Sequence, residues 1–316
     1  MSPVSVRCVV VLGATSLVGG PVLAQLLGEG FEVLAVSRHP PGITKTGVTW
    51  CLPAQLWGAD VSPALARFGV APWVSLAPLW ALGDSLANPL VLKPSRIIAL
   101  SSTSLFSKVG SCDPAERQIA QKLAEAEDRV TAWAAAHSVP WLLFRPTLIH
   151  GFGRDRNVAD IARFIRRYGF FPLLGQGRGL RRPIHATEVA SACVSALKHD
   201  GIWGQALTLS GAETLSYAEM VERVFVALDR PPRVVRISRR LLKFGLRSLH
   251  RMGLGRAWSI GMADRMDQDL DYPSDDACEK LGLQFRAFAP EVIAAQMNVY
   301  AKRADSAPTA AISQQD

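Results

Sequence analysis

The residues with the clearest chemical meaning lie just after the first apolar run of the chain. Cys8 to Leu12 is unbroken and apolar, as in a strand buried on both faces, and Gly13 ends it. Gly19 has no side chain, so a helix can begin close to that strand. Ser16 lies between Gly13 and Gly19, at the position where a glycine would let the backbone approach a ligand most closely. Because the free N–H groups of a helix N-terminus bind phosphate, the stretch predicts a dinucleotide pyrophosphate site. The predicted contacts in this turn are Gly13, Thr15, Ser16, Leu17, Val18 and Gly19.

The second strand, Phe31 to Val36, ends where dinucleotide-binding folds read the adenosine ribose. An acidic residue there would accept from the 2′-hydroxyl of NAD, whereas Arg38 offers guanidinium donors to a 2′-phosphate. The sequence therefore favours NADP, with NAD as the alternative cofactor. A solvated arginine at a strand end is the competing explanation of Arg38. The other predicted cofactor contacts lie at strand ends and on one helix, at Ser37, Arg38, Ala77, Pro78, Lys122 and Pro146.

A cluster of hydroxyl side chains follows the fifth predicted strand, Arg96 to Leu100. Such a position lies on the edge where parallel sheets bind ligands, so Ser102 and Thr103 are candidate catalytic residues. Lys122, on a helix predicted over residues 113–137, is the third candidate. Two simpler explanations stay open: the serines cap the next element, and Lys122 is a solvated helix lysine.

Composition narrows the class of protein and its partners. The chain has 316 residues, is 49% hydrophobic and carries a formal charge of +8, so it can bury a full core and favours anionic partners. Its five cysteines lack paired spacing, which favours a reducing compartment and predicts no metal site. The sequence shows no signal-peptide pattern, and no apolar stretch approaches the roughly 20 residues needed to span a membrane. A cytoplasmic protein is therefore expected. Basic residues are not interleaved with stacking aromatics, which argues against nucleic acid.

Arginines are concentrated in the second half of the chain, at residues 154–182 and 233–256. Arg178, Arg181 and Arg182 follow Gly175 and Gly177, and a guanidinium matches phosphate oxygens in two bonds. These three arginines are therefore the predicted substrate-binding residues, for a small anionic molecule. A solvated basic face is the alternative.

Strands and helices alternate regularly up to about residue 150 and less regularly beyond it. This order predicts an α/β fold, a Rossmann doubly wound parallel sheet with a smaller C-terminal substrate lobe. The expected boundaries are 1–150 for the dinucleotide-binding domain, with a return segment near 185–202, then 151–302 for the lobe and 303–316 for a disordered tail. Gln55 and Asp60 are alternative adenine contacts, and Thr187 is the expected N-cap of a helix.

Five features in order resemble the extended short-chain dehydrogenase/reductase family, the NAD-dependent epimerase/dehydratase group. They are the Gly13 to Gly19 turn, Ser101-Ser102-Thr103, Arg145-Pro146 with Gly151, Arg182-x-x-His185, and Leu209-Ser-Gly211. The resemblance covers most of residues 6–290. It implies a Rossmann domain, a substrate lobe and action on a nucleotide-linked sugar, and it is compatible with a homodimer.

The sequence departs from that family at its acid/base residue. Active members carry Tyr-x-x-x-Lys, and here Gln118 stands four residues before Lys122, where an amide cannot cycle a proton. Tyr168 is the one tyrosine expected to reach the site from another element. Two functions follow: an NADP-using oxidoreductase or epimerase with a substitute acid, or a dinucleotide-binding sensor or accessory protein without turnover. Residues 238–252 resemble an interfacial amphipathic helix, although ordinary packing in the lobe is favoured over membrane contact.

Overall fold

The computed structural model describes residues 7–41, 45–56, 63–87, 92–237 and 265–290. The tail and the arginine-rich stretch at residues 238–252 lie outside these ranges, as does Asp60. None of the helices in the described ranges is long and apolar enough to cross a bilayer. The cytoplasmic compartment stays a prediction from the sequence.

Thirteen strands and nine helices make up the described part of the chain. The strands are Arg7–Leu12 (β1), Phe31–Val36 (β2), Val48–Cys51 (β3), Val70–Ser75 (β4), Lys93–Leu100 (β5), Trp141–Pro146 (β6), Ile149–His150 (β7), Phe171–Leu174 (β8), Leu180–Arg181 (β9), Ile184–His185 (β10), Gln205–Leu209 (β11), Leu215–Ser216 (β12) and Val234–Ile237 (β13). The helices are Gly19–Gly28 (α1), Pro63–Ala66 (α2), Leu79–Leu86 (α3), Ser104–Ser107 (α4), Pro114–Ala136 (α5), Val158–Tyr168 (α6), Ala186–Ala196 (α7), Tyr217–Ala227 (α8) and Asp275–Leu281 (α9).

Seven parallel strands form the central sheet, in the order β11-β6-β5-β4-β1-β2-β3. The chain leaves β1 toward one edge and returns through β4 toward the other, so the strand order reverses between β1 and β4. Loops at such a reversal diverge and leave a crevice at the carboxyl ends of the strands. This architecture confirms the doubly wound α/β fold predicted from the sequence.

Helices cover both faces of the sheet. One hydrophobic cluster joins α1, α7 and α9 to the sheet, and the other joins α3 and α5 to its opposite face. The apolar runs of β1 and β2 are buried on both faces, which explains why they lack the alternation of a half-exposed strand. Beyond α7, β11 pairs with β6 at the edge of the central sheet, and α9 packs beside it.

The C-terminal lobe has its own hydrophobic cluster, built mainly from α6, α8 and β8. Its strands are short: β8 pairs with β13, and β9 pairs with β12. A capping box opens α8, in which Ser216 is the N-cap and Glu219 is its partner. At α7 the prediction was wrong, because His185 rather than Thr187 is the N-cap, and its ring accepts from the Thr187 backbone.

Candidate functional site

The turn after β1 packs between the carboxyl ends of the two neighbouring strands, β2 and β4. Gly13 has a φ of +72°, and its N–H donates to the carbonyl of Val36 at 3.0 Å. A Cβ added at Gly13 would lie 2.6 Å from the backbone nitrogen of Ala77, at the end of β4. The backbone here therefore needs glycine both for its conformation and for the space.

The start of α1 is packed just as closely. A Cβ on Gly19 would lie 2.1 Å from the carbonyl oxygen of Ala14, so only glycine lets this helix begin so near the turn. Between the two glycines, the hydroxyl of Ser16 is buried and has no hydrogen-bond partner within the described ranges. A buried hydroxyl without a partner is rare, and an oxygen of a bound pyrophosphate would satisfy it. The turn thus fits the group predicted for it.

At the ribose end of the predicted cofactor site, two side-chain hydroxyl groups are hydrogen-bonded to each other. Thr15 Oγ1 and Ser37 Oγ are 2.8 Å apart, and Ser37 Oγ accepts from the backbone N–H of His39 at 3.2 Å. Arg38 is exposed at the end of β2, next to this pair. Of the two alternatives for adenine, Gln55 accepts from the Leu52 N–H with its side-chain oxygen, so this residue is used locally.

Ser101 takes part in a hydrogen-bonded group that links α5 to the sheet, and it does not face the cavity. Its hydroxyl donates to Glu127 at 2.5 Å, and Arg145 donates to both oxygens of the same carboxylate, at 2.9 and 2.5 Å. Because Glu127 lies on α5 and Arg145 on β6, the three side chains fix the rotation of α5 over the sheet.

The next two residues line a cavity. Thr103 donates its hydroxyl to the carbonyl of Pro146 at 3.2 Å, and Ser102 is half-buried and accepts from the Ser104 N–H at 3.1 Å. Pro146 therefore holds the serine-rich strand end in place. Of the two candidate catalytic hydroxyls, Ser102 keeps its proton available as a donor toward the cavity.

The cavity has a volume of about 780 Å³ and lies between the carboxyl end of the sheet and the lobe. Its lining is strongly basic, with Asp160 as an acidic member. The cationic side chains that line it are Lys108, Arg156, Arg163, Arg167, Arg181, Arg182 and Arg265. A cavity of this size and charge suits a small anionic molecule.

Of the three arginines predicted to bind substrate, Arg181 and Arg182 line the cavity and also bond to the protein, whereas Arg178 does not line it. Arg181 is buried and donates to the carbonyls of Leu180 and Gln268, both at 2.7 Å, and burial lowers its pKa to about 10. Arg182 donates to Asp271 at 2.5 Å. Arg178 is exposed and is not among the described residues that line the cavity. Arg181 and Arg182 thus fasten residues 265–271 to the lobe.

Other cations of the cavity lie on one face of α6 and in the residues just before it. Arg163 and Arg167 line the cavity at helical spacing, and Arg156 lines it from just before the helix. Arg163 is paired with Asp160, whereas Arg156 and Arg167 are exposed at the cavity and keep their donors toward solvent or ligand. The sequence of α6 has the pattern of a short basic helix, but this pattern does not show that one of its faces lies beside the cavity.

The lysine at the cavity is Lys108, not Lys122. Both Gln118 and Lys122 are exposed on α5, whose buried stripe includes Leu123 and Glu127, and neither lines the cavity. Lys108 follows α4, is half-buried, and its pKa is lowered by burial and then by Arg265, with Glu116 opposing. A lysine with a lowered pKa is better able to exchange a proton near neutral pH.

Tyr168 does not reach the cavity either. It is exposed on the lobe, where its ring packs at 4.6 Å from that of Phe164. Tyr217, by contrast, lines the cavity and is buried, and burial raises its pKa to about 12. Within the described ranges, no group of three metal-ligating side chains is close enough to hold a metal ion.

The comparisons with known proteins agree on the fold. An epimerase of Methanothermobacter thermautotrophicus superposes with a TM-score of 0.68, at 15% identity over 95% of this chain and 94% of that one. A UDP-glucuronic acid 4-epimerase of Bacillus cereus, solved with NAD, gives a TM-score of 0.67 at 12% identity, over 96% of this chain and 99% of that one. The chain has the Rossmann fold and C-terminal lobe of these epimerases, as the resemblance implied.

Curated relatives match over shorter stretches, and no protein-family model matches. Subunit 9 of the NADH dehydrogenase (ubiquinone) 1 alpha subcomplex of Arabidopsis thaliana, a mitochondrial protein, is 32% identical over 96 residues, covering 30% of this chain and 24% of that protein. A UDP-glucose 4-epimerase of Vibrio cholerae is 27% identical over 107 residues, covering 34% and 33%. The matched segments thus span a quarter to a third of these relatives' own lengths.

A pair of histidines joins the sheet to the lobe and makes stability depend on pH. His150 and His185 face each other across β7 and β10, and their ring centroids are 5.1 Å apart. Burial, followed by the charges of His185 and Arg286, lowers the pKa of His150 to about 3. His150 is therefore neutral in the folded protein at pH values where it would be protonated in the unfolded chain.

We expect the free energy of unfolding to fall on acidification from pH 7 to 5. The unfolded histidine binds a proton below its pKa of about 6.5, so stability is present above that pH and is lost below it, by about 2 kcal/mol at pH 5. Denaturant titrations at several pH values measure this slope. His150→Leu should flatten it, whereas the exposed His39→Leu should not; equal slopes for all three proteins would contradict the role of His150.

Proposed function

We propose that this protein is an NADP-dependent oxidoreductase or epimerase that acts on a small anionic substrate, a nucleotide-linked sugar. The observation that carries the proposal is the sheet edge where β1 and β5 end. A turn that admits only glycine at two positions ends one strand, and a basic cavity of about 780 Å³ begins at the hydroxyl-rich end of the other. The fold shared with solved epimerases, one of them solved with NAD, supports it.

The cofactor would be held by the turn and by the residues beside it. Gly13 and Gly19 admit the pyrophosphate, the unpartnered Ser16 hydroxyl donates to it, and the ordered Thr15–Ser37 pair borders the ribose. When bound, the nicotinamide supplies the site with a hydride donor or acceptor. The neighbouring Ala77, Pro78 and Pro146 complete the predicted edge of the site.

The substrate's phosphates would contact the arginines that line the cavity from α6 and the loop before it. Arg156 and Arg167 are placed for this role, since Arg181 and Arg182 are already bonded to the protein. At the other end of the cavity, Ser102 can donate to a substrate oxygen. Lys108 can take up or return the proton that accompanies hydride transfer.

The cofactor preference gives a direct prediction. NADPH should bind more tightly than NADH by about tenfold, because the guanidinium of Arg38 bonds a 2′-phosphate that NADH lacks. Arg38→Asp should reverse the order, since a carboxylate repels that phosphate and accepts from a 2′-hydroxyl. Fluorescence titration of both nucleotides measures the ratio. Arg233→Asp, at an exposed arginine just before β13 in the lobe, is the control. An unchanged ratio in Arg38→Asp would refute the assignment.

A binding protein without turnover is the second candidate. It is favoured by the absence of any tyrosine from the α5 sequence and by the match to an NADH dehydrogenase subunit. Two measurements separate the candidates while the protein is incubated with sugar nucleotides: the absorbance of the nicotinamide, and the conversion of the sugar nucleotide to a new product followed by NMR. A protein-dependent change in either one establishes an enzyme, because an epimerase converts its substrate without net redox change of the cofactor. Cofactor binding with neither change for any sugar nucleotide establishes the binding protein.

A further inference from the structure

The loop at residues 151–157 leads from the sheet into the lobe and carries two arginines that face different ligand sites. Arg154 reaches back to the nucleotide-binding turn, where its Nη2 donates to the carbonyl oxygen of Thr15 at 3.4 Å. Arg156, two residues later, lines the basic cavity. One short loop therefore presents a cation to the predicted cofactor and another to the predicted substrate.

Both ends of the loop are anchored. Gly151 has a φ of +132°, and a Cβ there would lie 2.5 Å from His185 Nε2, so the backbone packs directly on the His185 ring. Phe152 packs its ring at 5.2 Å from the same histidine. Asp155 is 4% exposed and accepts from the N–H groups of Asn157 at 2.9 Å and Ala159 at 3.1 Å, which fixes the loop to the start of α6.

Asp155 lies between the two arginines and fixes their backbone, while their guanidinium groups stay exposed. The contact from Arg154 to the Thr15 carbonyl is long, and a neutral carbonyl is a weaker partner for a guanidinium than a phosphate is. Thr15 belongs to the turn whose glycines and Ser16 fit a pyrophosphate. A phosphate at that place would be the better acceptor for Arg154.

We infer that Arg154 is a cofactor-binding residue, which exchanges the Thr15 carbonyl for a pyrophosphate oxygen, and that the 151–157 loop couples cofactor binding to substrate binding. The inference rests on the proposed function. Because Asp155 ties Arg154 and Arg156 into one stretch of backbone, a cofactor that draws Arg154 from the Thr15 carbonyl toward a phosphate oxygen also shifts Arg156 in the cavity. Each ligand should then raise the affinity for the other by the same factor, as linkage requires.

The first experiment compares NADPH affinity in the wild type, Arg154→Ala and Arg156→Ala. Arg154→Ala should weaken NADPH by about tenfold, the effect of losing one hydrogen bond from a charged group, and Arg156→Ala should leave it unchanged. In competition with NADPH, 2′-AMP, which has no pyrophosphate, should bind the wild type and Arg154→Ala equally. Arg154→Lys should restore part of the NADPH affinity, because the charge returns without the planar fork.

The second experiment measures coupling with UDP as the probe. UDP should bind the wild type more tightly when NADPH is present, and Arg154→Ala should lose this difference while still binding UDP alone. Equal NADPH affinity in the wild type and Arg154→Ala would overturn the inference and leave the proposed function standing. A wild type that binds no nicotinamide dinucleotide would overturn both.

Discussion

Gly19→Ala is expected to lower the free energy of unfolding by about 3 kcal/mol, at the upper end of the range for overpacked positions. The added Cβ would lie 2.1 Å from the Ala14 carbonyl oxygen, and this neighbour is backbone at the end of a buried strand, so it cannot move aside by changing a rotamer. Either α1 or the turn must shift. Since the turn holds the predicted pyrophosphate site, the same variant should lose NADPH binding.

Gly28→Ala is the matched control, because Gly28 lies in the same helix, is exposed, and has no atom within 4 Å of its added Cβ. It should keep the wild-type stability or gain slightly, since alanine favours a helix. Urea unfolding of the three proteins measures the difference. Equal stability of Gly19→Ala and Gly28→Ala would mean that the turn tolerates a side chain and that its glycine has no steric role.

The fold could be predicted because its signals are local. Parallel strands covered on both faces are mainly apolar, so β1, β2 and the last four residues of β5 could be predicted as short apolar runs between turns. The turn after β1 could be predicted for the same reason, because the two positions that require glycine, Gly13 and Gly19, lie within one stretch of seven residues. The place of the edge strand β11 beside β6 could not be predicted, because pairing between residues 63 positions apart leaves no local pattern.

The internal partners of Arg181 and Arg182 could not be predicted, because charge does not reveal which acceptors a guanidinium meets in the folded chain. Arg181 and Arg182 have the glycine-rich context of a phosphate loop, yet their acceptors lie nearly ninety residues later, at Gln268 and Asp271. What the sequence did contain was the spacing of Arg163 and Arg167, which places them on one face of a helix, with Arg156 just before it. Which face meets the cavity depends on how the lobe packs.

The rotation of α5 explains why the Tyr-x-x-x-Lys spacing does not select the lysine that lines the cavity. The spacing of Tyr-x-x-x-Lys points to Gln118 and Lys122, but Glu127, bonded to Ser101 and Arg145, turns that face of the helix to solvent. The apolar period of α5 contained this information, since Leu123 belongs to the buried stripe and Lys122 does not. Lys108 follows the serine-rich strand end within a turn, where no periodic pattern marks a functional residue.

Lys108→Met is expected to lower turnover of the proposed substrate by about a hundredfold or more, the usual contribution of a positioned acid or base. Burial, with Arg265 nearby, holds the pKa of Lys108 below its ordinary value, so a neutral amine becomes available at lower pH than for a solvated lysine. If the amine accepts the proton, wild-type kcat should rise with pH up to that pKa. Lys108→Met should lose this rise.

Lys108→Arg separates catalysis from binding, because a guanidinium keeps the charge but does not give up its proton. It should leave KM near the wild-type value and keep kcat as low as in Lys108→Met. Lys93→Met, at the exposed start of β5, controls for the loss of a lysine, and Lys122→Met tests the residue that sequence spacing selects. Loss of turnover in Lys122→Met, with Lys108→Met still active, would assign the proton transfer to α5 and remove Lys108 from the mechanism.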